Sequence, residues 1–461
     1  MINHNVDTSA LTDALTAAKQ AYAEANSASA TAFANAKSSG IAGGTNRASI
    51  FYQPFPLTFV DAHDATAITA DGQHVTDFLG NYTAGLFGFS PKPVIDAVTR
   101  AMANGHALGG APNVLEARVA KALVERFEAM DMVRFSNTGS EANTYAMNTA
   151  RAVTGRRKIL MYTGAYHGAW IHGGDLALDT PYEKILVPYG DAERICNIIH
   201  DNAADLAAFI MEPVMVNPQV YLKQVAPRSY LQQIRRACSE AGCALIFDEV
   251  MTSRLAPGGA QELVGVAPDF TTFGKYYGGG LPFGGFGGKR EWMERHDPAH
   301  PNTINSGGTF NQNALSLAAV DAVLSHLWRP EQCRQHNTRG DEFRQQINAL
   351  MQNLGVPCRA QGTGSLMTLI WQHRPVLQDA AVDANRQVLD IVAHKAVSEA
   401  AQLFWFYMLK DHDLLAGSPR LNYLTLPISL QVDDYQRFLG GVQGFADAYP
   451  RELQQLTLAT A

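Results

Sequence analysis

Residues 8–37 set apolar side chains at roughly helical spacing in an Ala-, Ser- and Thr-rich background, which predicts an N-terminal helix. Glycines at 40–44 end it. Over 51–78 short apolar runs alternate with turn signals such as Asp71-Gly72, predicting a small antiparallel hairpin. After Pro91 the pattern changes. Helical stretches at 91–104, 114–128, 141–153 and 227–241 alternate with apolar runs at 158–162, 207–211 and 244–247. That alternation, kept up to about residue 325, predicts an α/β domain built on a mostly parallel sheet. The run 244–247 is apolar throughout, as a strand covered on both faces should be, and it stops at Asp248-Glu249. Ligands of open α/β sheets bind just beyond the carboxyl ends of strands. From 326 onward, helical patterns, a Gly362-Thr363-Gly364 turn and an apolar strand at 424–430 predict a smaller α+β domain. The expected division is therefore a large domain over 71–325, and a small one from 326–461 joined by the N-terminal segment 1–70.

Composition narrows the function classes. A chain of 461 residues exceeds the length at which one core usually stops growing, which supports two domains. The net charge of -7 is small and spread without long runs of one sign, so neither nucleic acid nor an anionic membrane is indicated and small molecules are the expected partners. The five cysteines are scattered and lack the spacing of a zinc or redox site, so no metal is expected. No signal-type segment is visible in residues 1–48, and no stretch reaches the ~18 apolar residues of a membrane span, so a cytoplasmic protein is expected.

Three polar features stand out. Asn137-Thr138-Gly139-Ser140-Glu141-Ala142 is a turn leading into a helix, where free N–H groups make an anion seat; the same residues also read as an ordinary capping box. Asp248 closes an otherwise apolar strand, and a buried carboxylate needs a partner. A protonated pyridine nitrogen would serve, as would an arginine. Lys275 stands between Phe270-Thr271-Thr272-Phe273 and the glycines at 278–280 and 284–285, which let a backbone approach a flat ligand. No other charged residue lies between Phe270 and Gly288, so desolvation would make this amine nucleophilic toward an aldehyde.

The order of the pieces is more specific than any one of them. The Gly139-Ser140 turn is followed by Tyr166-His167-Gly168, Glu212-Pro213, Asp248-Glu249-Val250, Lys275 and Gly308-Thr309-Phe310. From about Thr45 to Gly441 the chain resembles the class III, fold-type I aminotransferases dependent on pyridoxal 5'-phosphate (PLP). Within these it is similar to the glutamate-1-semialdehyde aminomutase branch, and most of all to the β-amino-acid (β-phenylalanine) aminotransferases. The resemblance implies a large PLP-binding domain in which Lys275 carries the cofactor in Schiff-base linkage and shuttles a proton between substrate carbon and C4′. It implies that Asp248 binds the pyridine nitrogen, that Gly139 and Ser140 hold the phosphate, and that Tyr166 and Val250 cover opposite faces of the ring. Thr309 would reach the phosphate of the neighbouring subunit in a homodimer with shared active sites. Glu212 would support the site, and His167 would position Tyr166.

Two arginines are candidates for the substrate carboxylate, which a guanidinium binds through two parallel hydrogen bonds: Arg47, in Thr45-Asn46-Arg47, and Arg420, in Gly417-Ser418-Pro419-Arg420. Either could equally be a surface charge. Tyr82, Phe87 and Phe89 are candidates for an apolar pocket or for plain core. The segment after Glu212-Pro213 lacks the glycine that relatives often carry, which implies a differently shaped pocket wall. The expected reaction moves an amino group from a β-amino acid or related amine to 2-oxoglutarate or pyruvate. The alternatives are an aminomutase acting within one substrate and, more remotely, a nucleotide-binding oxidoreductase; the glycines lack the G-x-G-x-x-G setting the latter requires.

Overall fold

The computed structural model describes residues 7–105, 110–174, 182–214, 228–371 and 391–460. They form two compact units, one built from the residues up to Ser90 and from Thr338 onward, the other from Pro91 to Asn337. The expected breaks at 70/71 and 325/326 lie short of these. Two features carry the first unit further along the chain. The strand His74–Asp77 pairs with the strand Leu414–Leu415, and the second boundary falls inside the helix Pro330–Asn353, where no change of composition marks it.

The first unit opens with α1 (Ser9–Ala25), which buries Leu11, Leu15 and Tyr22, and α2 (Ser27–Ser38). The single helix expected over 8–37 is broken at Asn26, whose Nδ2 bonds back to the Tyr22 carbonyl at 2.9 Å. The expected hairpin is a three-stranded meander of β1 (Phe59–His63), β2 (Thr66–Thr69) and β3 (His74–Asp77).

The second unit holds α3 (Lys92–Ala103), α4 (Val114–Arg126), α5 (Gly139–Thr154), α6 (Ala192–Asp201) and α7 (Arg228–Ala241). Its sheet comprises β4 (Met132–Ser136), β5 (Lys158–Tyr162), β6 (Glu183–Val187), β7 (Leu206–Met211), β8 (Ala244–Asp248), β9 (Phe270–Gly274) and β10 (Gly284–Gly288), in the order β4-β10-β9-β8-β7-β5-β6. Only β10 runs antiparallel to its neighbours. Side chains alternate along a strand. On β8, Leu245 and Phe247 therefore join the core made with Leu231, Ile234 and Cys238 of α7, while Ala244 and Ile246 join the one made with Ala142, Ala146 and Ala150 of α5. Each large apolar side chain buried this way contributes roughly 1.5–3 kcal/mol. The same alternation turns the next residue, Asp248, toward the α5 face.

The glycine-rich stretch has a different use from the expected one. Residues Gly284–Gly288 form a strand squeezed between β4 and β9, where a Cβ on Gly284 would lie 2.3 Å from the Thr138 carbonyl oxygen and one on Gly288 2.0 Å from that of Asp269. Those two glycines answer to neighbouring backbone. Gly284→Ala is expected to destabilise the second unit by about 3 kcal/mol or more and to displace Thr138 at the start of α5; thermal unfolding checks it.

The chain completes the first unit with β11 (Arg359–Thr363), β12 (Leu366–Ile370), β13 (Leu414–Leu415) and β14 (Tyr423–Thr425). The tight turn lies at Gly364-Ser365, one step past the expected one, and the strand expected over 424–430 stops at Thr425. Leu426 and Leu430 are nonetheless fully buried, so their apolarity serves the core and not a ladder. That core includes Trp371, Phe404, Phe438 and Phe445. Among the described residues no helix is long and apolar enough to cross a membrane.

Candidate active site

Asp248 sits at the carboxyl end of β8, a strand buried along its whole length. Its Oδ2 accepts from Asn143 Nδ2 at 2.8 Å and meets His167 Nδ1 at 2.8 Å; its Oδ1 accepts from the Val250 amide at 3.1 Å. Asn143 is fixed in turn, since it donates to the His167 carbonyl and accepts from Thr272 Oγ1 at 2.6 Å. Thr272 stands opposite Asp248 in the β8–β9 ladder. Burial pushes the Asp248 pKa up, but the His167 contact and the Val250 and Asn143 bonds outweigh it and hold the group below the ordinary carboxylate value. Asp248 is therefore an ionised carboxylate in a dry setting, aimed and locked by three groups. His167 has a larger part than the expected support of Tyr166, because it bonds the key carboxylate directly.

The start of α5 lies against the same place. Thr138, in extended conformation, caps the helix by accepting from the Glu141 amide at 3.1 Å, and the first intrahelical bond runs from Ala142 to Thr138. The N–H groups of Gly139 and Ser140 precede that ladder, where an anion is favoured. The turn is a capped helix start, and its Gly139 and Ser140 amides lie ahead of the intrahelical ladder. Gly139 is a glycine because a Cβ there would lie 2.7 Å from Val250 Cγ1, so the helix start and the chain beyond β8 meet in contact. At Gly168, with φ +135°, a Cβ would lie 2.5 Å from Ser140 Oγ, which also accepts from the Ala169 amide at 3.0 Å. The Tyr166-His167-Gly168 loop is thereby fastened to α5. It leaves the Tyr166 ring 53% exposed beside His172.

Lys275 follows the last residue of β9, the strand next to β8. Its φ is +52°, a left-handed conformation that costs a non-glycine residue roughly 1–2 kcal/mol. Buried Phe273 before it and buried Tyr276 and Tyr277 after it hold the chain there. Gly274 is close to α5 as well, since a Cβ on it would lie 3.5 Å from the Gly139 amide nitrogen. Glu212, buried, comes one residue after β7, whose Met211 pairs with Phe247 of β8. Thr309 lies in an exposed turn next to Phe310, itself 67% exposed.

The carboxylate candidates gather in the first unit. The Arg47 guanidinium lies over the Tyr82 ring, 4.8 Å from its centroid, and Arg420 Nη1 donates to the Ala48 carbonyl at 2.9 Å. Both arginines are exposed. Tyr82 supports Arg47, whereas Phe87 is buried and Phe89 packs on the core. The chain at 215–219, where a different pocket wall was expected, lies outside the described residues. Asn143 and Thr272 were not expected at all. Their only mark in the sequence is a polar side chain on an apolar face of a helix or strand.

The residues present suit PLP: a buried carboxylate for a ring nitrogen, an open helix start for a phosphate, Gly139 against Val250 as a close-packed floor, and a lysine just past the end of the adjoining strand. Among the described residues no group of three or more His, Cys, Asp or Glu is placed to hold a metal ion. Such a site on a mostly parallel sheet defines a PLP-dependent enzyme of fold type I. The chain belongs to the class-III aminotransferase family, which it matches over residues 49–414, and it is a PLP-dependent transaminase that takes an amino donor and a keto-acid acceptor. It is 35% identical over 441 residues to the beta-phenylalanine transaminase of Variovorax paradoxus, covering 95% of this chain and 96% of that one. A crystal structure of the beta-phenylalanine aminotransferase from the same organism superposes with a TM-score of 0.87 at 34% identity, over 95% of this chain and 98% of that one. Glutamate-1-semialdehyde 2,1-aminomutase of Ignicoccus hospitalis is 38% identical over 295 residues, 60% of this chain and 68% of that protein.

Proposed function

We propose that this transaminase takes its amino group from a β-amino acid or a related amine, passes it to 2-oxoglutarate or pyruvate, and works as a cytoplasmic homodimer. Bound PLP supplies an aldehyde that condenses with amines and a ring that withdraws electrons. In this reading Asp248 holds the pyridine nitrogen protonated, with Asn143, His167 and Val250 keeping the carboxylate ionised and aimed. The Gly139 and Ser140 amides take the phosphate, Val250 packs under the ring and Tyr166 covers the other face. Thr309 reaches the phosphate held by the partner subunit. Lys275 attaches the cofactor and, once its amine is freed, moves a proton between the substrate carbon and C4′; Glu212 supports this end of the sheet. Arg47 and Arg420 bind carboxylate, which both donor and acceptor carry.

The observation that carries the reading is the buried Asp248 carboxylate, held by Asn143, His167 and Val250 beside the open start of α5. For the substrate, support comes from two exposed guanidinium groups in one cluster and from the name of the Variovorax relative. The test is to present β-phenylalanine, α-phenylalanine and 1-phenylethylamine to the holoenzyme, with and without 2-oxoglutarate or pyruvate, and to follow the cofactor spectrum. Conversion by β-phenylalanine, with turnover only when a keto acid is present, is the expected result. Turnover of glutamate 1-semialdehyde without a second keto acid would point to the aminomutase instead. Arg47→Ala and Arg420→Ala are each expected to raise KM for the carboxylate partner about 10–100-fold, since a charged hydrogen bond contributes about 1.5–3 kcal/mol.

A further inference from the structure

The backbone that carries Tyr82 is unusual. Four consecutive residues, Gly80, Asn81, Tyr82 and Thr83, have φ of 58°, 44°, 55° and 74°. Three of them are not glycine, and each pays a steric penalty for its left-handed conformation. Such a run persists only where its surroundings over-determine it. Here Asp77, buried at the end of β3, does so: its Oδ1 accepts from the amides of Leu79 at 2.8 Å and Gly80 at 3.1 Å, and its Oδ2 from that of Asn81 at 2.7 Å. The turn it holds presents Tyr82, whose ring lies under the Arg47 guanidinium and whose hydroxyl donates to the Ser49 carbonyl at 3.0 Å. Arg420 grips the adjoining Ala48 carbonyl, so Arg47 is braced through Tyr82 from one side and through its own flanking backbone from the other.

We infer that Asp77 is a positioning residue for carboxylate recognition: it fixes the left-handed turn that lets Tyr82 hold Arg47 in its binding orientation. This rests on the assignment of Arg47 to the substrate carboxylate. The Asp77 carboxyl meets two opposing influences. Burial raises its pKa from 3.8 to about 6, against the opposing bonds from Asn81, Leu79 and Gly80. A carboxyl whose folded pKa is raised favours the fold most at low pH, and that contribution declines as pH climbs from 3.8 and is gone above about 6. At neutral pH the ionised group therefore lacks that low-pH contribution while still holding the turn through its three amide bonds.

The test measures the dissociation constant of 3-phenylpropanoate, a carboxylate with no amine, for the holoenzyme by calorimetry. Oxime formation between the bound cofactor and hydroxylamine reports the cofactor face, and thermal unfolding reports the fold. Asp77→Asn keeps the acceptor for Leu79 and Gly80 but sets an amide against the Asn81 N–H. It is expected to weaken 3-phenylpropanoate binding about tenfold, with oxime formation and Tm near those of the parent, and to weaken it by less than about twofold when Arg47→Ala is already present. Tyr82→Leu, which leaves Asp77 intact, should reproduce the loss even if Asp77→Asn folds poorly. Unchanged binding in these two variants, an equal fall in oxime formation, or an undiminished effect in the Arg47→Ala background would overturn the inference. Should Arg47→Ala itself leave binding unchanged, the carboxylate assignment fails and takes the inference with it. Should it weaken binding while Asp77→Asn and Tyr82→Leu do not, the inference alone fails.

Discussion

Lys275→Ala is expected to lower transamination by about 10⁴-fold or more, because one substitution removes both the attachment point and the group that moves the proton. Proton transfer by a placed side chain contributes up to about 10⁴-fold by itself. The flanking sequence offers no substitute, since no other charged side chain occurs from Phe270 to Gly288. The fold should tolerate the change: alanine at φ +52° meets the same penalty as lysine and leaves buried Tyr276 and Tyr277 in place. Single-turnover conversion of the cofactor by a β-amino acid, followed spectroscopically, checks the loss. Partial restoration by added small amines would separate the proton-moving role from mere attachment.

Asp248→Asn is expected to be nearly as damaging to chemistry. The amide keeps one acceptor but places N–H groups toward His167 Nδ1 or the Val250 amide, and it cannot neutralise a protonated ring nitrogen. Loss of such a preorganised charge corresponds to about 3–4 kcal/mol, or 10²–10³-fold in rate. Stability should fall too. A carboxylate whose folded pKa is lowered supports the fold above its unfolded value and loses that support only as pH falls through the folded one, so at neutral pH the full contribution is present to be lost. Turnover and thermal unfolding at pH 7, compared with His167→Gln, divide the charge from its support: the glutamine variant keeps the carboxylate and should be the milder of the two.

How much of this was legible in the sequence varies with the reach of the interaction. The run 244–247 declared a strand covered on both faces because its apolar residues are contiguous, and Asp248 was legible as the break in that run. Local signals also served at Thr138-Gly139-Ser140, where capping chemistry marks the helix start. Interactions across long stretches of chain were not legible. Asn143 meets Asp248 across 105 residues, and nothing near either announces the partner. The glycines of β10 illustrate the converse error. A glycine run reads equally as a ligand platform or as a strand with no room for side chains, and only the positions of β4 and β9 decide between them. Phe87 and Phe89 were ambiguous in the same way; Phe87 is buried and Phe89 packs on the core. The left-handed turn at 80–83 left only Gly80 and Asn81 as signs, since Tyr82 and Thr83 have no such preference and follow a turn whose start the Asp77 carboxylate holds.

The account turns on one covalent attachment, and borohydride reduction of the PLP-loaded protein followed by peptide mass mapping tests it most directly. The phosphopyridoxyl mass should appear on the peptide containing Lys275, and on no other lysine. Its appearance at a different lysine, or a reduced protein that carries no such mass, would contradict the assignment of this site.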